Sequence, residues 1–356
     1  MTTLTIPTPA SARSERMFEA ALGTFDLAAV YLGDRLGYYR SLDADGPATP
    51  EELAARTDTD ARYAREWLEQ QAVTGFLAVD DAHRFSLPDG HADVLVHPES
   101  LDLMAPLARM LAAAVARLPE LVDAYRTGDG LGWDRYGADM REGQAAFNRP
   151  AFTHLLPNEW IPAIPELDER LRSSPAAVVA DIGCGEGWST IALARAYPEA
   201  RFIGIDLDEP SIAAARAHAE RGGVADRVEF RHADAAELDE ELDAAIIIEA
   251  VHDMANPIPV LSAVRRSLRP GASLVVVDER VAEAFTAPGD DVERFMYGFS
   301  ITTCLPDGRS REHSVGTGTV MRPATLRAYA SESGFASAQV LPVENDFFRF
   351  YRLSAE

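Results

Sequence analysis

The densest chemical signal in the chain is residues 177–198, AVVADIGCGEGWSTIALARAYP. There an apolar run ends at Asp181, Gly183, Gly185 and Gly187 follow at alternate positions, and a helical pattern starts from about Ser189. Glycines in a strand-to-helix turn let a ligand lie against the backbone, where a Cβ would obstruct it. A dinucleotide-binding turn has the same general form, but it places its third Gly or Ala where this chain has Trp188. Asp181 at the head of the segment also disfavours a pyrophosphate, so a positively charged ligand suits it better. The bland alternative is a tight turn that binds nothing. Next, RFIGIDLDEPSI ends a strand at Asp206, about twenty residues past the glycines, where a carboxylate can accept both hydroxyls of a ribose. In VEFRHADAAEL, Asp234 ends a further strand and can accept from an adenine amino group, with the backbone of Ala235 as a nearby donor. Capping a helix is the competing role for such Asp residues, and Asp208 is free to fill it separately.

These segments need a scaffold that brings strand ends together. From residue 176 strands alternate with helices, the signature of a parallel, doubly wound sheet. The preceding sequence reads differently. Residues 1–13 have the Thr-, Pro- and Ser-rich composition of a disordered tail, and residues 14–39 carry apolar residues at helical spacing. Thr49-Pro50-Glu51-Glu52 forms a capping box. Asp60 then caps a second helix that ends near Gly75, and residues 76–87 suggest a small hairpin. Helix, helix and hairpin make a winged-helix unit over residues 14–100. Its second helix carries Arg62, Arg65, Glu66 and Glu69, which cancel, so packing or dimerisation suits it better than reading DNA. Residues 101–172 read as a helical linker and lid: an apolar helix to 127, a glycine-rich loop holding Trp133 and Tyr136, and a helix from Gln144 to about Trp160.

Composition narrows the functional classes. The 356 residues are 47% hydrophobic and 25% charged, as in globular proteins, and no apolar run is long enough for a membrane span. The net charge is −24 and the 33 basic residues, all arginine, do not cluster, which argues against a nucleic-acid partner. The N-terminus has no basic flank followed by an apolar core, so no secretory signal is expected. Cys184 and Cys304 are the only cysteines, lack metal-ligand spacing, and point to a reducing, cytoplasmic setting without structural zinc.

Together these segments resemble the motifs of the class I S-adenosylmethionine-dependent methyltransferases, over roughly residues 145–356. The resemblance implies a seven-stranded, doubly wound Rossmann-like sheet in a domain spanning 173–356, with LDAAIIIEAV as fourth strand, ASLVVVDER as fifth and a terminal pair near 337–342 and 347–353. Carried over residue by residue, Gly183, Gly185 and Gly187 line the methionine and ribose, Asp206 holds the ribose, Asp234 the adenine, and Glu249 lies beside the cofactor. Asp181 counts with this set. With the winged-helix unit in front, VYLGDRLGYYRSL and GTGTVMRPATLRAYASESGF are similar to bacterial small-molecule enzymes related to the O-methyltransferases of secondary metabolism. Members of that group place a catalytic His after the fourth strand, followed by Asp and an apolar residue. In EAVHDMANP that position is His252.

A sulfonium methyl is already activated, so the protein must align the acceptor, exclude water and remove a proton, a task suited to His252. Glu279 is the first choice for the carboxylate that fixes its tautomer, ahead of Asp253 and Asp278. An insertion at 290–320, with Phe295, Met296 and Phe299, joins Phe152 and Trp160 as a candidate roof over a flat, small-molecule acceptor. Tyr31 is added if the N-terminal helices reach the substrate. Core packing is the competing role for each of these. No ligand cluster stands near the fifth strand, so no metal is expected. The N-terminal helices carry more apolar surface than a small unit can hide, which points to a homodimer.

Three alternatives stay open. C- or N-methylation of an indole-like acceptor uses the same site. A ligand-sensing winged-helix regulator would bind without catalysis. A nucleic-acid methyltransferase would need a Pro-Pro-aromatic segment where this chain reads Glu249-Ala250-Val251-His252.

Overall fold

In the computed structural model, which describes residues 9–173 and 175–355, the chain forms two compact units, 1–112 and 113–356. The N-terminal unit is built from α1 (Pro9–Leu36), α2 (Tyr38–Asp45), α3 (Pro50–Thr57), α4 (Ala61–Val73), α5 (His91–Leu95) and the start of α6 (Ala105–Ala116). The capping box is present: Thr49 Oγ1 accepts the Glu52 N–H at 3.3 Å, and Glu52 accepts the Thr49 N–H at 2.9 Å. Asp60 caps α4 by accepting the N–H groups of Arg62 and Tyr63. An antiparallel hairpin, Ala78–Val79 against Phe85–Ser86, completes the winged-helix pattern. Tyr38 and Tyr39 pack their rings on Trp67, with centroids 4.8 and 5.0 Å apart, in a core with Leu53 and Leu68.

Some expected boundaries move. Residues 1–8 of the expected tail lie outside the described residues, and from Pro9 the chain is helical, continuous with α1. The single helix expected to 127 is broken at Arg117 into α6 and α7 (Leu118–Thr127), with Pro119 in the first turn of α7. Residues 113–172 belong to the same unit as the sheet and do not form a separate linker.

The larger unit continues with α8 (Gly137–Leu155), α9 (Pro165–Arg172), α10 (Trp188–Ala196), α11 (Glu209–Gly222), α12 (Pro257–Ser267), α13 (Asp291–Phe299), α14 (Leu305–Gly308) and α15 (Pro323–Glu332). Its strands are β1 (Val178–Ile182), β2 (Arg201–Asp206), β3 (Val228–His232), β4 (Ala244–Ile248), β5 (Ser273–Glu279), β6 (Ser337–Val340) and β7 (Phe348–Ser354). They form one seven-stranded sheet in the order β3-β2-β1-β4-β5-β7-β6. The first five strands are parallel, and β7 runs antiparallel to both its neighbours.

Every residue of β4 is buried, as a parallel strand covered on both faces requires, which is why AAIII does not alternate. One core packs Ile191, Leu193, Ile212 and Phe202 on one face; the other packs Leu261, Val264, Leu326 and Ile247 on the opposite face. At the amino end of the sheet, Asp243 accepts the Val178 N–H at 2.8 Å and pairs with Arg170 and Arg269, each at 2.9 Å, tying α9, β1 and the exit of α12 together. Strand order reverses between β1 and β4, and a crevice at such a switch point is where doubly wound sheets bind ligands. Among the described residues no helix is long and apolar enough to cross a membrane.

Candidate active site

The glycine turn leaves β1 at this switch point. Gly183 has φ +73°, and an added Cβ would lie 2.5 Å from the Cβ of Ala250; Gly187 has φ +79°, and its Cβ would lie 2.5 Å from the ring of Phe230. Both are glycines because neighbouring chain passes too close for a side chain. Gly185, at φ +50°, differs: a Cβ there would enter open space, so its bare backbone borders a cradle. Asp206 at the end of β2 accepts the Gly185 N–H and the Asp208 N–H, each at 2.8 Å. Burial pushes the Asp206 carboxyl up, opposed by those amides, and each oxygen keeps a lone pair for a ligand hydroxyl. Asp181 departs from expectation. It is 1% exposed, and one carboxylate oxygen accepts the hydroxyls of Ser189 and Thr190 at 2.7 and 2.6 Å. It therefore clamps the first turn of α10 and does not line the cradle. Asp234 is exposed and accepts the Ala236 N–H at 2.9 Å, capping the short turn that starts at the buried Ala235. Trp188 stacks on His218 at 4.4 Å with the Arg149 guanidinium 4.1 Å from its ring, which explains a large residue where other turns need glycine.

Past β4 the backbone bends sharply. Glu249 sits at φ +51°, a strained conformation for a residue with a side chain and one that clusters at functional sites. Its carboxylate accepts from Gln144 Nε2 at 3.3 Å and Asn148 Nδ2 at 2.5 Å, both on α8. Burial pushes its carboxyl up to about 7, opposed by the Asn148 hydrogen bond. The sequence reading missed both amides. Their spacing of four puts them on one helix face, which is a usable signal once the partner is known.

His252 is 2% exposed, in the short turn after β4. Its Nδ1 hydrogen-bonds Asp278 Oδ1 at 3.0 Å. An ionised carboxylate can only accept, so Nδ1 carries a proton, and in the neutral imidazole the lone pair is on Nε2. Glu279 Oε2 lies equally near, at 3.0 Å, yet makes no hydrogen bond. Asp278 thus orients the ring, a correction to the choice of Glu279. Burial alone would lower the imidazole, but Glu279, Asp253 and Asp278 hold it well above its usual range. Burial would likewise raise Asp278, and the facing imidazole keeps it below the usual carboxylate range. Burial raises the Glu279 carboxyl well above its usual range, opposed by the facing imidazole and aided by the charge of Asp278. On the other side of the ring, Asp253 Oδ1 is 3.4 Å from Nε2. The ligand atoms of His252, Asp253 and Cys304 lie within 4.8 Å of one another, as do those of His252, Asp278 and Glu279. The expectation that no ligand cluster stands near the fifth strand is therefore corrected: strand ends that are distant in sequence meet here.

The 290–320 segment folds as α13, an irregular turn and α14. Arg322 braces α13 through Glu293 Oε1 at 2.6 Å and the Tyr297 hydroxyl at 3.2 Å. The aromatic loop at 125–136 packs against this segment, with Tyr125 donating to the Ile301 carbonyl at 3.0 Å and Tyr136 to that of Thr302 at 2.7 Å. Trp160 is a core residue, 2% exposed and held edge-on by Phe348 and Phe350. Phe152 is half-buried against the same core. Phe295 and Phe299 pair at 5.0 Å and stay partly exposed, while Met296 is buried. Tyr31 lies in α1 of the N-terminal unit, against that unit's own core.

Residues 173–304 match the family described as a methyltransferase domain, and residues 27–97 match an Rv2258c-like winged HTH domain. An O-methyltransferase, cnsE, of Penicillium expansum is 31% identical over 150 residues, 37% of this chain and 54% of the relative. The O-methyltransferase rstn1 of Aspergillus nomiae is 30% identical over 158 residues, 38% of this chain and 70% of the relative. Thus the chain spans about half the length of the first of these curated relatives and more of the second. The structure of human N-acetylserotonin methyltransferase, solved with SAM, aligns with a TM-score of 0.73 at 16% identity, covering 99% of this chain and all of the other.

Proposed function

Because the chain belongs to the methyltransferase family, we propose that it moves the methyl group of S-adenosylmethionine to a hydroxyl of a small, aromatic or natural-product acceptor. The observation that carries this reading is the buried His252–Asp278 pair, beside the glycine cradle at the sheet's switch point. The names of the two fungal relatives support oxygen as the acceptor atom.

The cradle suits the cofactor. Gly185 leaves open space, Asp206 offers lone pairs for ribose hydroxyls, and Asp234 with Ala235 is assigned to the adenine edge. Glu249 adds a carboxylate able to face a cation, held by Gln144 and Asn148. When bound, S-adenosylmethionine supplies an electrophilic methyl on a sulfonium. Asp278 holds the Nδ1 proton of His252, leaving Nε2 to take the acceptor's hydroxyl proton as the oxygen attacks. Because His252 is held well above its usual range, the base form grows as pH rises. Phe295 and Phe299 are assigned to the acceptor's flat face.

The N-terminal unit is assigned to dimerisation. Met17, Phe18, Leu22 and Phe25 are 48–72% exposed along one helix, an apolar stripe that a second copy would cover. On α4, Arg62 is paired with Glu66 and Arg65 with Glu51, which leaves that helix little charge to offer a phosphate backbone. The free thiols Cys184 and Cys304 support a cytoplasmic, reducing setting.

Calorimetric titration with S-adenosylhomocysteine tests the cofactor reading first. Micromolar binding that Asp206→Ala weakens about a hundredfold supports it, and absence of binding to wild type sinks it. A screen of phenolic, amine and indolic acceptors with wild type and His252→Ala then decides whether oxygen, nitrogen or carbon is methylated.

A further inference from the structure

The side of His252 that faces away from Asp278 is built like a metal site. We propose that His252 Nε2, Asp253 Oδ1 and Cys304 Sγ bind one divalent ion of the zinc class, leaving an open coordination position. One ligand atom from each of the three residues lies within 4.8 Å of the other two, and the Nε2–Oδ1 separation is 3.4 Å. That is long for a hydrogen bond. It matches the edge of a tetrahedron around zinc, about 3.4 Å for N and O ligands at about 2.1 Å.

Two further features point to a ligand here. Asp253 Oδ1 is a buried oxygen with no hydrogen-bond partner. Thr319, 2% exposed, presents an Oγ1 that also lacks one, beside the Cys304 thiol. The opposite nitrogen is already arranged as metal-binding imidazoles require, with Nδ1–H donated to a carboxylate, here Asp278 at 3.0 Å. An imidazole, a carboxylate and a thiolate form a mixed donor set for zinc, and the thiolate argues against magnesium or calcium. On binding, the Cys304 thiol and the protonated form of His252 each release a proton to solvent, and the freed lone pairs on Sγ and Nε2 bond the ion.

The consequence for activity rests on the reading of His252 as the base; the site itself does not. One lone pair on Nε2 cannot both hold a metal and take a proton, so the loaded protein is the inactive form.

The test uses the full, metal-stripped chain titrated with Co²⁺ as a spectroscopic stand-in. The expected result is one ion per chain, a near-ultraviolet thiolate-to-metal band and visible bands of four-coordinate cobalt, bleached by added Zn²⁺. Cys304→Ser removes the thiolate band, Cys184→Ala keeps it, and Asp253→Asn weakens binding by about tenfold or more. A cooperative thermal transition shows that each variant is folded. No thiolate band in wild type overturns the proposal, as does a band that survives in Cys304→Ser. Neither readout depends on methyl transfer. With a working acceptor, stoichiometric Zn²⁺ stops turnover and a chelator restores it; full turnover by zinc-loaded protein overturns the assignment of Nε2 as a ligand.

Discussion

Replacing Asp278 by Asn should cripple methyl transfer, while replacing Glu279 by Gln should barely change it, although both carboxylates lie 3.0 Å from His252 Nδ1. Only Asp278 makes the hydrogen bond. Glu279 Oε2 makes no hydrogen bond, so a neutral amide of the same shape breaks no link that orients the ring. A buried hydrogen bond to an ionised group contributes about 1.5–3 kcal/mol. At about 1.4 kcal/mol per decade, losing it misorients the ring at a cost of about 10- to 150-fold. An amide can also donate to Nδ1 and so favour the tautomer with its proton on Nε2, the nitrogen that must be empty. The whole contribution of a general base, roughly 10²–10⁴-fold, is the ceiling. The expected outcome for Asp278→Asn is a kcat about a hundredfold lower with KM little changed. For Glu279→Gln, kcat stays within about threefold, roughly 0.6 kcal/mol. The pH profile adds an independent sign. Neighbouring carboxylates raise His252, so wild-type kcat climbs with pH beyond neutrality. Asp278→Asn removes one of them, so its acid limb moves to lower pH even as the plateau falls. The assay is release of S-adenosylhomocysteine, followed from mildly acidic to alkaline buffer. Equal losses in the two variants, or an acid limb that does not move, would refute the assignment of Asp278 as the orienting group.

Other expectations concern stability and assembly. Gly187→Ala forces a Cβ to within 2.5 Å of Phe230 at φ +79° and should cost about 1–3 kcal/mol in denaturant unfolding. Gly223→Ala, with φ +67° and nothing within 4 Å, should cost about 1 kcal/mol of backbone strain alone. Asp243→Ala unpairs Arg170 and Arg269 and strands the Val178 N–H, a loss of about 2–4 kcal/mol. The Asp243 carboxyl is held below its usual value: burial opposes this, but the Val178 amide and the two arginines prevail. Wild type's advantage should therefore be full at neutral pH and fade as pH falls through the acidic aspartate range. Phe18→Glu combined with Phe25→Glu charges the exposed face of α1, where these residues are 66% and 68% exposed. Light scattering should report a dimer for wild type and a monomer for the double variant.

Local rules made much of this protein readable. The alternating glycines after Asp181, the strands ending at Asp206 and Glu249, the capping box at Thr49 and the Asp60 cap all depend on neighbours within a few residues, and they mark the elements of the fold. The resemblance of EAVHDMANP to the O-methyltransferase pattern is what pointed to His252. Contacts across the sheet were not readable in the same way. Asp278 and Glu279 are adjacent in sequence and alike in chemistry, and only the turn of the chain after β4 decides which of them meets Nδ1 in line. Asp181 resembles a ligand-binding acid until the hydroxyls of Ser189 and Thr190 are seen to occupy it. Trp160 looks like a pocket wall until β7 packs Phe348 and Phe350 against it. Gln144, Asn148 and Cys304 carry no motif; they meet Glu249 and His252 because α8 and the segment after α13 bring them to strand ends formed elsewhere in the chain. Short-range backbone and capping preferences are written along the sequence. Which side chains share a buried site is set by long-range packing, and that required the folded chain.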